Sequence, residues 1–293
     1  MHWPEKVLIR EVGPRDGLQN EKTKVSTEDK IVLIKQLAGA GITAIEATSF
    51  VHPRAVPQLN DAEAVLSGLG DLGRGVTVSA LVGNIRGVER ALAVSHTCLR
   101  EIVVVVSASE AHNRANLNCS IAHALRELKE IDRSAGGVLQ VRGTVATAFG
   151  CSYQGDINSS DVFKVVEGMR TAGIRRIGLA DTAGLGNPRQ VYNLVREAAV
   201  RYPGTSWGLH LHDTRGWGLA CAITGMLAGV SALESSIGGL GGCPFSPGAA
   251  GNLATGSLVR VLKSMGIHTG VDSRRLDHCV RFAEKCLGRY LLL

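Results

Sequence analysis

Aromatic side chains are scarce in this chain, 4% of 293 residues. Cys-X-X-Cys pairs are absent, and the seven cysteines make an odd count. Both features argue against a disulfide framework and fit a reducing compartment. No apolar run approaches the roughly 18 residues of a membrane span. The opening residues lead directly into an apolar strand-like run and carry no signal or transit pattern. The expectation is a cytoplasmic protein, or one of the mitochondrial matrix if a leader has been removed. The net charge is +6, but its sources, such as Arg170, Arg175, Arg176 and Arg201, are scattered. That pattern lacks the basic stripe of a nucleic-acid binder, while a mild positive field favours a polyanionic small molecule.

Glycine is plentiful, at 36 residues, within a chain that is 45% apolar. This balance fits strands buried on both faces and joined by tight turns. Strand-like runs cover residues 7–12, 44–50, 76–82, 101–107, 141–149, 176–181, 207–213 and 233–239. Amphipathic segments lie between them, at 27–40, 161–172, 188–202 and 219–228, with Ser26 or Thr27 as an N-cap and Pro188 at a helix start. Roughly eight βα units predict an α/β fold, a single (β/α)8 TIM barrel over about residues 1–270, with a C-terminal helix at 271–293. An open doubly wound sheet is the alternative. The barrel is preferred because polar residues end nearly every strand run: Arg15-Asp16, Glu46, Ser107, Thr147, Asp181, His210/His212 and Gly241–Cys243. In a TIM barrel those ends build the active site.

His210-Leu211-His212 carries the most chemical information. On a strand, residues i and i+2 face the same way, so two imidazoles converge as metal ligands. An ordinary polar strand end is an equally good reading of the tripeptide alone. Asp16, in the Gly13–Gly17 turn, offers an anionic oxygen, and Arg15 beside it can polarise a substrate oxygen. A surface Arg–Asp pair is the competing reading. Asn252 adds a neutral amide oxygen. Such a donor set suits Mg²⁺ or Mn²⁺, with Zn²⁺ as the alternative. The glycine-rich segment 238–244 reads as a mobile lid whose Cys243 can exchange a proton, or as the site of an inert buried thiol.

Residues 11–21 (EVGPRDGLQNE), 45–51 (IEATSFV), 210–214 (HLHDT), 239–244 (GLGGCP) and 251–255 (GNLAT) together resemble the 3-hydroxy-3-methylglutaryl-CoA lyase family over about residues 7–270. The resemblance implies a metal-dependent carbon–carbon lyase on a TIM barrel, acting on an acyl-CoA. It implies Asp16, His210, His212 and Asn252 as metal ligands, Arg15 as the enolate-stabilising cation and Cys243 in proton transfer. It implies that Glu46, Gln19, Lys22 and Asp181 line or support the pocket, with Ser107, Asn113 and Thr147 on the substrate side. A homodimer or higher homo-oligomer through the outer helices or tail is a further expectation, with no nucleic-acid or membrane partner.

The expected reaction is a retro-Claisen cleavage to acetyl-CoA and acetoacetate, with Asp181 or a histidine–water relay as base. A Claisen-type synthase and a catalytically silent barrel are the competing readings. Three departures stand out. Gly256-Ser257 replaces an acidic pair, Arg215-Gly216-Trp217 follows the histidine motif, and the longer tail with a terminal cysteine is absent.

Overall fold

Eight parallel strands close into a ring in chain order: β1 (Leu8–Glu11), β2 (Ala44–Ser49), β3 (Thr77–Leu81), β4 (Leu99–Ser107), β5 (Gln140–Ala146), β6 (Arg176–Asp181), β7 (Ser206–Leu211) and β8 (Ala232–Ser235). β8 pairs back onto β1, so no sheet edge is left open. The computed structural model describes residues 3–73, 75–242 and 251–292. Cys243, the expected lid thiol, lies outside the described residues. The predicted TIM barrel is the observed fold, and the open sheet is excluded.

Helices wrap the ring: α1 (Thr27–Gly39), α2 (Ala62–Leu69), α3 (Ile85–Ala93), α4 (Glu110–Leu117), α5 (Ile121–Ala135), α6 (Ser159–Thr171), α7 (Pro188–Arg201), α8 (Gly218–Ala228), α9 (Thr255–Ser264) and α10 (Ser273–Leu287). Local chemistry sets several of their ends. Ser26 caps α1 by accepting from the Asp29 N–H at 3.0 Å. Pro188 opens α7 directly after the Asn187 cap, where no N–H is needed. Asp272 caps α10, which lies against α1 and α9 and buries Leu276, Cys279, Val280, Ala283 and Leu287.

Alternation along each strand sorts the sheet into two faces. The outer face is apolar: Ile9, Ile45, Val78, Ile102, Val145, Leu209 and Leu233 are buried beneath the helices. Each such side chain contributes about 1.5–3 kcal/mol through burial. The inner face carries Arg10, Glu46, Glu101, Arg142, His210 and Glu234, all buried.

The largest shortfalls against the sequence runs are at β5 and β8. β5 ends at Ala146 because Thr147 turns to φ 56, a costly conformation for a β-branched residue. Two hydrogen bonds hold it there: Thr147 Oγ1 with Ser107 Oγ at 2.7 Å, and Thr147 N–H to Thr182 Oγ1 at 2.8 Å. β8 ends at Ser235, and Ile237–Gly239 form a single 3₁₀ turn. No helix among the described residues is long and apolar enough to cross a membrane. The described cysteines are free thiols.

Candidate active site

The turn after β1 delivers two charged groups to one place. Gly13–Gly17 forms a π-helical turn, with Gly17 N–H bonding Val12 C=O at 3.2 Å and Leu18 N–H bonding Gly13 C=O at 2.9 Å. Such wide turns recur at functional sites. Both glycines are required by close approach. A Cβ at Gly13 would stand 2.6 Å from Glu11 Oε1, and one at Gly17 would stand 2.7 Å from Ser236 Oγ. The turn therefore packs directly on the segment after β8, and Arg15 and Asp16 point into the barrel mouth.

Arg15 and Asp16 form a buried pair, so the reading of a surface ion pair is overturned. Arg15 Nη1 donates to Asp16 Oδ1 at 2.6 Å, and Arg15 Nε donates to Glu46 Oε1 at 2.5 Å. Asp16 Oδ1 also accepts from Gln19 Nε2 at 2.8 Å, and its Oδ2 accepts from Asn252 Nδ2 at 2.7 Å. Burial pushes the Asp16 carboxyl up, but Arg15, His210, His212 and the Asn252 bond outweigh it and hold it below the usual range.

His210 leaves the end of β7, and its Nδ1 lies 3.0 Å from Glu234 Oε2 on β8. A carboxylate accepts there, so the neutral ring carries its proton on Nδ1 and turns Nε2 toward the cavity. Nε2 stands 4.0 Å from Asp16 Oδ2. Burial lowers the His210 pKa, but the Glu234 bond and the Asp16 charge more than reverse this. The His212 ring lies 5.2 Å from that of His210. Backbone bridging places Asn252 opposite His212, with Asp213 N–H on Gly251 C=O and Leu253 N–H on Leu211 C=O.

Two observations test whether a metal ion fits. Ligand atoms of Asp16, His210 and His212 lie within 4.8 Å of one another. Asn252 Oδ1 is buried without a hydrogen-bond partner among the described residues, although its Nδ2 is fully used by Asp16 and the Leu240 carbonyl. A buried acceptor left unpaired is costly. A carboxylate, two imidazoles and a spare amide oxygen form a donor set suited to a divalent cation.

The carboxylate and the two imidazoles edge a cavity of about 360 Å³ at the C-terminal mouth of the barrel. Arg15, Asp16, Glu46, His210 and His212 line its polar end, while Val51, Val56, Leu81, Val103, Val105 and Leu117 line an apolar wall. The HMGL-like family profile matches residues 6–282. The chain belongs to the HMGL-like family. It is 43% identical to the hydroxymethylglutaryl-CoA lyase YngG of Bacillus subtilis, over 99% of this chain and 96% of that protein. It is 41% identical to the mitochondrial hydroxymethylglutaryl-CoA lyase of Homo sapiens, over 98% of this chain and 87% of that protein. A solved HMG-CoA lyase from Acinetobacter baumannii, in complex with coenzyme A and 3-methylmalate, superposes with a TM-score of 0.94. It is 38% identical, with 99% of this chain and 94% of that chain covered.

Within this HMGL-like barrel the other expected residues separate into three groups. Gln19 and Glu46 line the cavity with Asp16, His210 and His212. Ser107, Asn113 and Thr147 are buried behind its wall, where they tie strand ends together. Asn113 Oδ1 accepts from Ser107 N–H at 3.0 Å, and Ser107 Oγ meets Thr147 Oγ1. Asp181 is also turned away. Its two oxygens accept from the N–H groups of Leu185 and Gly186, at 2.9 and 3.0 Å, closing the turn after β6. Burial raises its pKa more than those two bonds lower it. Lys22 is exposed and is not among the lining residues.

Gly256 is buried in the first turn of α9. Trp217 is 44% exposed beside Arg215, away from the cavity lining. The start of the expected lid is packed: Gly238 and Leu240 are buried, and Asn20 Nδ2 donates to the Gly242 carbonyl.

Sequence reading missed Glu234, which lines the cavity, and the charged groups below it, Arg142, Glu101 and Arg10. Their signal was present as single charged residues inside strand-like runs, as in Leu233-Glu234-Ser235 and Val141-Arg142-Gly143. It also missed Ser49, His112, Thr144 and Thr182, which line the cavity.

Proposed function

We propose that this chain cleaves 3-hydroxy-3-methylglutaryl-CoA, or a close 3-alkyl relative, to acetyl-CoA and acetoacetate. The single observation that carries this reading is the convergence of Arg15, Asp16, His210 and His212 on one cavity, with Asn252 bonded to Asp16 beside them. The names of the relatives, at about 40% identity over nearly the whole chain, support the same substrate class.

In this reading, Asp16, His210, His212 and Asn252 hold Mg²⁺ or Mn²⁺. When bound, the ion supplies Lewis acidity toward the 3-hydroxyl and the free carboxylate of the substrate. The hydroxyl loses its proton, the C2–C3 bond breaks, and its electron pair passes to C2. C3 becomes the ketone of acetoacetate, and C2 becomes the enolate of acetyl-CoA. Arg15 stands at the metal edge, held by Glu46 through its Nε and by Asp16 through its Nη1, which leaves Nη2 to meet the enolate oxygen. Preorganised charge of this kind is typically worth about 3–4 kcal/mol.

Protonation of C2 completes the products. Cys243 is the proposed donor, supported by its sequence position directly after Gly242, which lines the cavity. Asp181, occupied by two backbone amides, is read as shaping the β6 turn, leaving the base to a water relay at the cavity.

Purified protein with Mg²⁺ and 3-hydroxy-3-methylglutaryl-CoA should release acetyl-CoA and acetoacetate in equal amounts, followed by chromatography. No product from this or from any 3-hydroxy-3-alkylglutaryl thioester would overturn the reading. Thiol release from acetyl-CoA plus a 2-oxo acid would instead mark a condensing enzyme.

A further inference from the structure

Around the polar end of the cavity, charged side chains from five parts of the barrel form a continuous arc. It begins at Asp16, whose Oδ1 pairs with Arg15 Nη1 at 2.6 Å, and passes from Arg15 Nε to Glu46 Oε1. Glu46 Oε2 meets Arg142 Nη2 at 2.9 Å. Arg142 Nη1 bonds Glu234 Oε1, and Glu234 Oε2 meets His210 Nδ1 at 3.0 Å. The arc ends at His210 Nε2, which faces Asp16 Oδ2 across 4.0 Å. That gap is an edge of the metal-donor cluster, so the arc closes where the ion fits.

Among the described residues, Arg142 joins the two halves of this arc. One side holds the enolate-stabilising Arg15 through Glu46, and the other holds the metal donor His210 through Glu234. Its third nitrogen, Nε, bonds Glu101 Oε1 at 3.2 Å, and Glu101 is itself braced by Arg10 Nη1 at 2.8 Å. Every arm of the planar guanidinium is therefore committed, in a residue only 4% exposed and absent from the upper cavity lining. A guanidinium can hold three carboxylates in fixed directions, whereas an ammonium cannot reproduce that fork.

We propose that Arg142 is a positioning residue that holds the metal half and the enolate half of the site in register, although it touches neither substrate nor metal. The inference rests on the proposed lyase reading for its kinetic arm and is independent of it for its metal-binding arm. Side-chain placement matters at this scale, because a misplacement of about 1 Å costs on the order of 100-fold in rate.

The test uses the full chain stripped of metal and titrated with Mn²⁺, with free ion read by electron paramagnetic resonance and no substrate present. Turnover with 3-hydroxy-3-methylglutaryl-CoA is measured in parallel. Arg142→Lys should weaken Mn²⁺ binding by about tenfold, the range seen when groups supporting a metal ligand are altered. It should also lower kcat by on the order of 100-fold, with KM moving much less. A folded Arg142→Lys protein that retains either property at the wild-type level would overturn the proposal.

If that variant does not fold, Glu46→Gln and Glu234→Gln, which lose different arms of the same guanidinium, are made singly and together. Effects on Mn²⁺ affinity that multiply independently would overturn the coupling, and a departure of threefold or more would support it. Wild-type protein that binds Mn²⁺ yet cleaves no thioester would sink the lyase reading. The metal-binding cycle would still decide the role of Arg142.

Discussion

The two faces of one sheet obey opposite rules in this protein. The outer face is built of Ile9, Ile45, Ile102, Leu209 and Leu233, and it is held by apolar burial against the helices. The inner face, one residue away along each strand, is built of Arg10, Glu46, Glu101, Arg142, His210 and Glu234, and it is held by directed ion pairs. Apolar contacts tolerate small shifts, but buried ion pairs do not, because losing one partner strands the other charge. The contrast teaches where the chain stores stability and where it stores geometry. Substitutions on the two faces should therefore fail in different assays.

The largest effect is expected at the inner face. Arg15→Met should lower kcat by about 10²–10³-fold, the usual result of removing one donor to a developing oxyanion. Mn²⁺ should still bind, because the four proposed ligands remain. Parallel turnover and Mn²⁺ titration check this, and full activity would remove Arg15 from the chemistry.

The outer face should give the mirror image. Ile102→Ala should cost about 2–5 kcal/mol of stability through lost burial and a residual cavity, read by urea unfolding. The kcat of the remaining folded protein should match the wild type. A large kcat loss there would blur the distinction between the two faces.

Glu11 sharpens the comparison because it is a charged group on the apolar side. Its Oε1 accepts from the N–H groups of Gly13 and Ile237, and its Oε2 accepts from Thr255 Oγ1. Burial nevertheless raises its pKa from an ordinary 4.5 to about 7. Below pH 4.5, folded and unfolded chains are both protonated at this group. Between pH 4.5 and 7 the unfolded chain ionises while the folded chain keeps its proton, so stability falls as pH rises. The fall is on the order of 3 kcal/mol and levels off above pH 7. Glu11→Gln can keep the same bonds, with its amide donating to Thr255, and should flatten that slope in unfolding curves recorded from pH 4.5 to 7.

The smallest effect is expected at Lys22. It lies outside both faces, and Lys22→Ala should change stability and transition-state binding by less than about 0.5 kcal/mol. A tenfold loss in kcat/KM would instead restore it as a substrate contact.

Much of this arrangement is legible before folding. The i, i+2 spacing of His210 and His212 already places two imidazoles on one side of a strand. The glycines flanking Arg15-Asp16 mark a turn under close approach. The barrel follows from the alternation of apolar runs with amphipathic segments. What the linear pattern hides is which neighbour a strand-end side chain faces. Ser107, Asn113 and Thr147 have the polarity of a binding site, yet they bond one another behind the cavity wall. Thr147 does so from a backbone conformation that its sequence gives no reason to expect. Glu234 and Arg142 were overlooked for the opposite reason. A lone charge within a strand normally marks a solvent face, and only closure of the ring seals that face and forces the charges to pair.

The most direct measurement is pulsed electron paramagnetic resonance on metal-stripped protein reloaded with one equivalent of Mn²⁺. One tightly held ion per chain, with nitrogen couplings that diminish in both His210→Ala and His212→Ala, is the expected result. An ion without imidazole coupling, or no stoichiometric binding at all, would contradict a single metal centre built from Asp16, His210, His212 and Asn252.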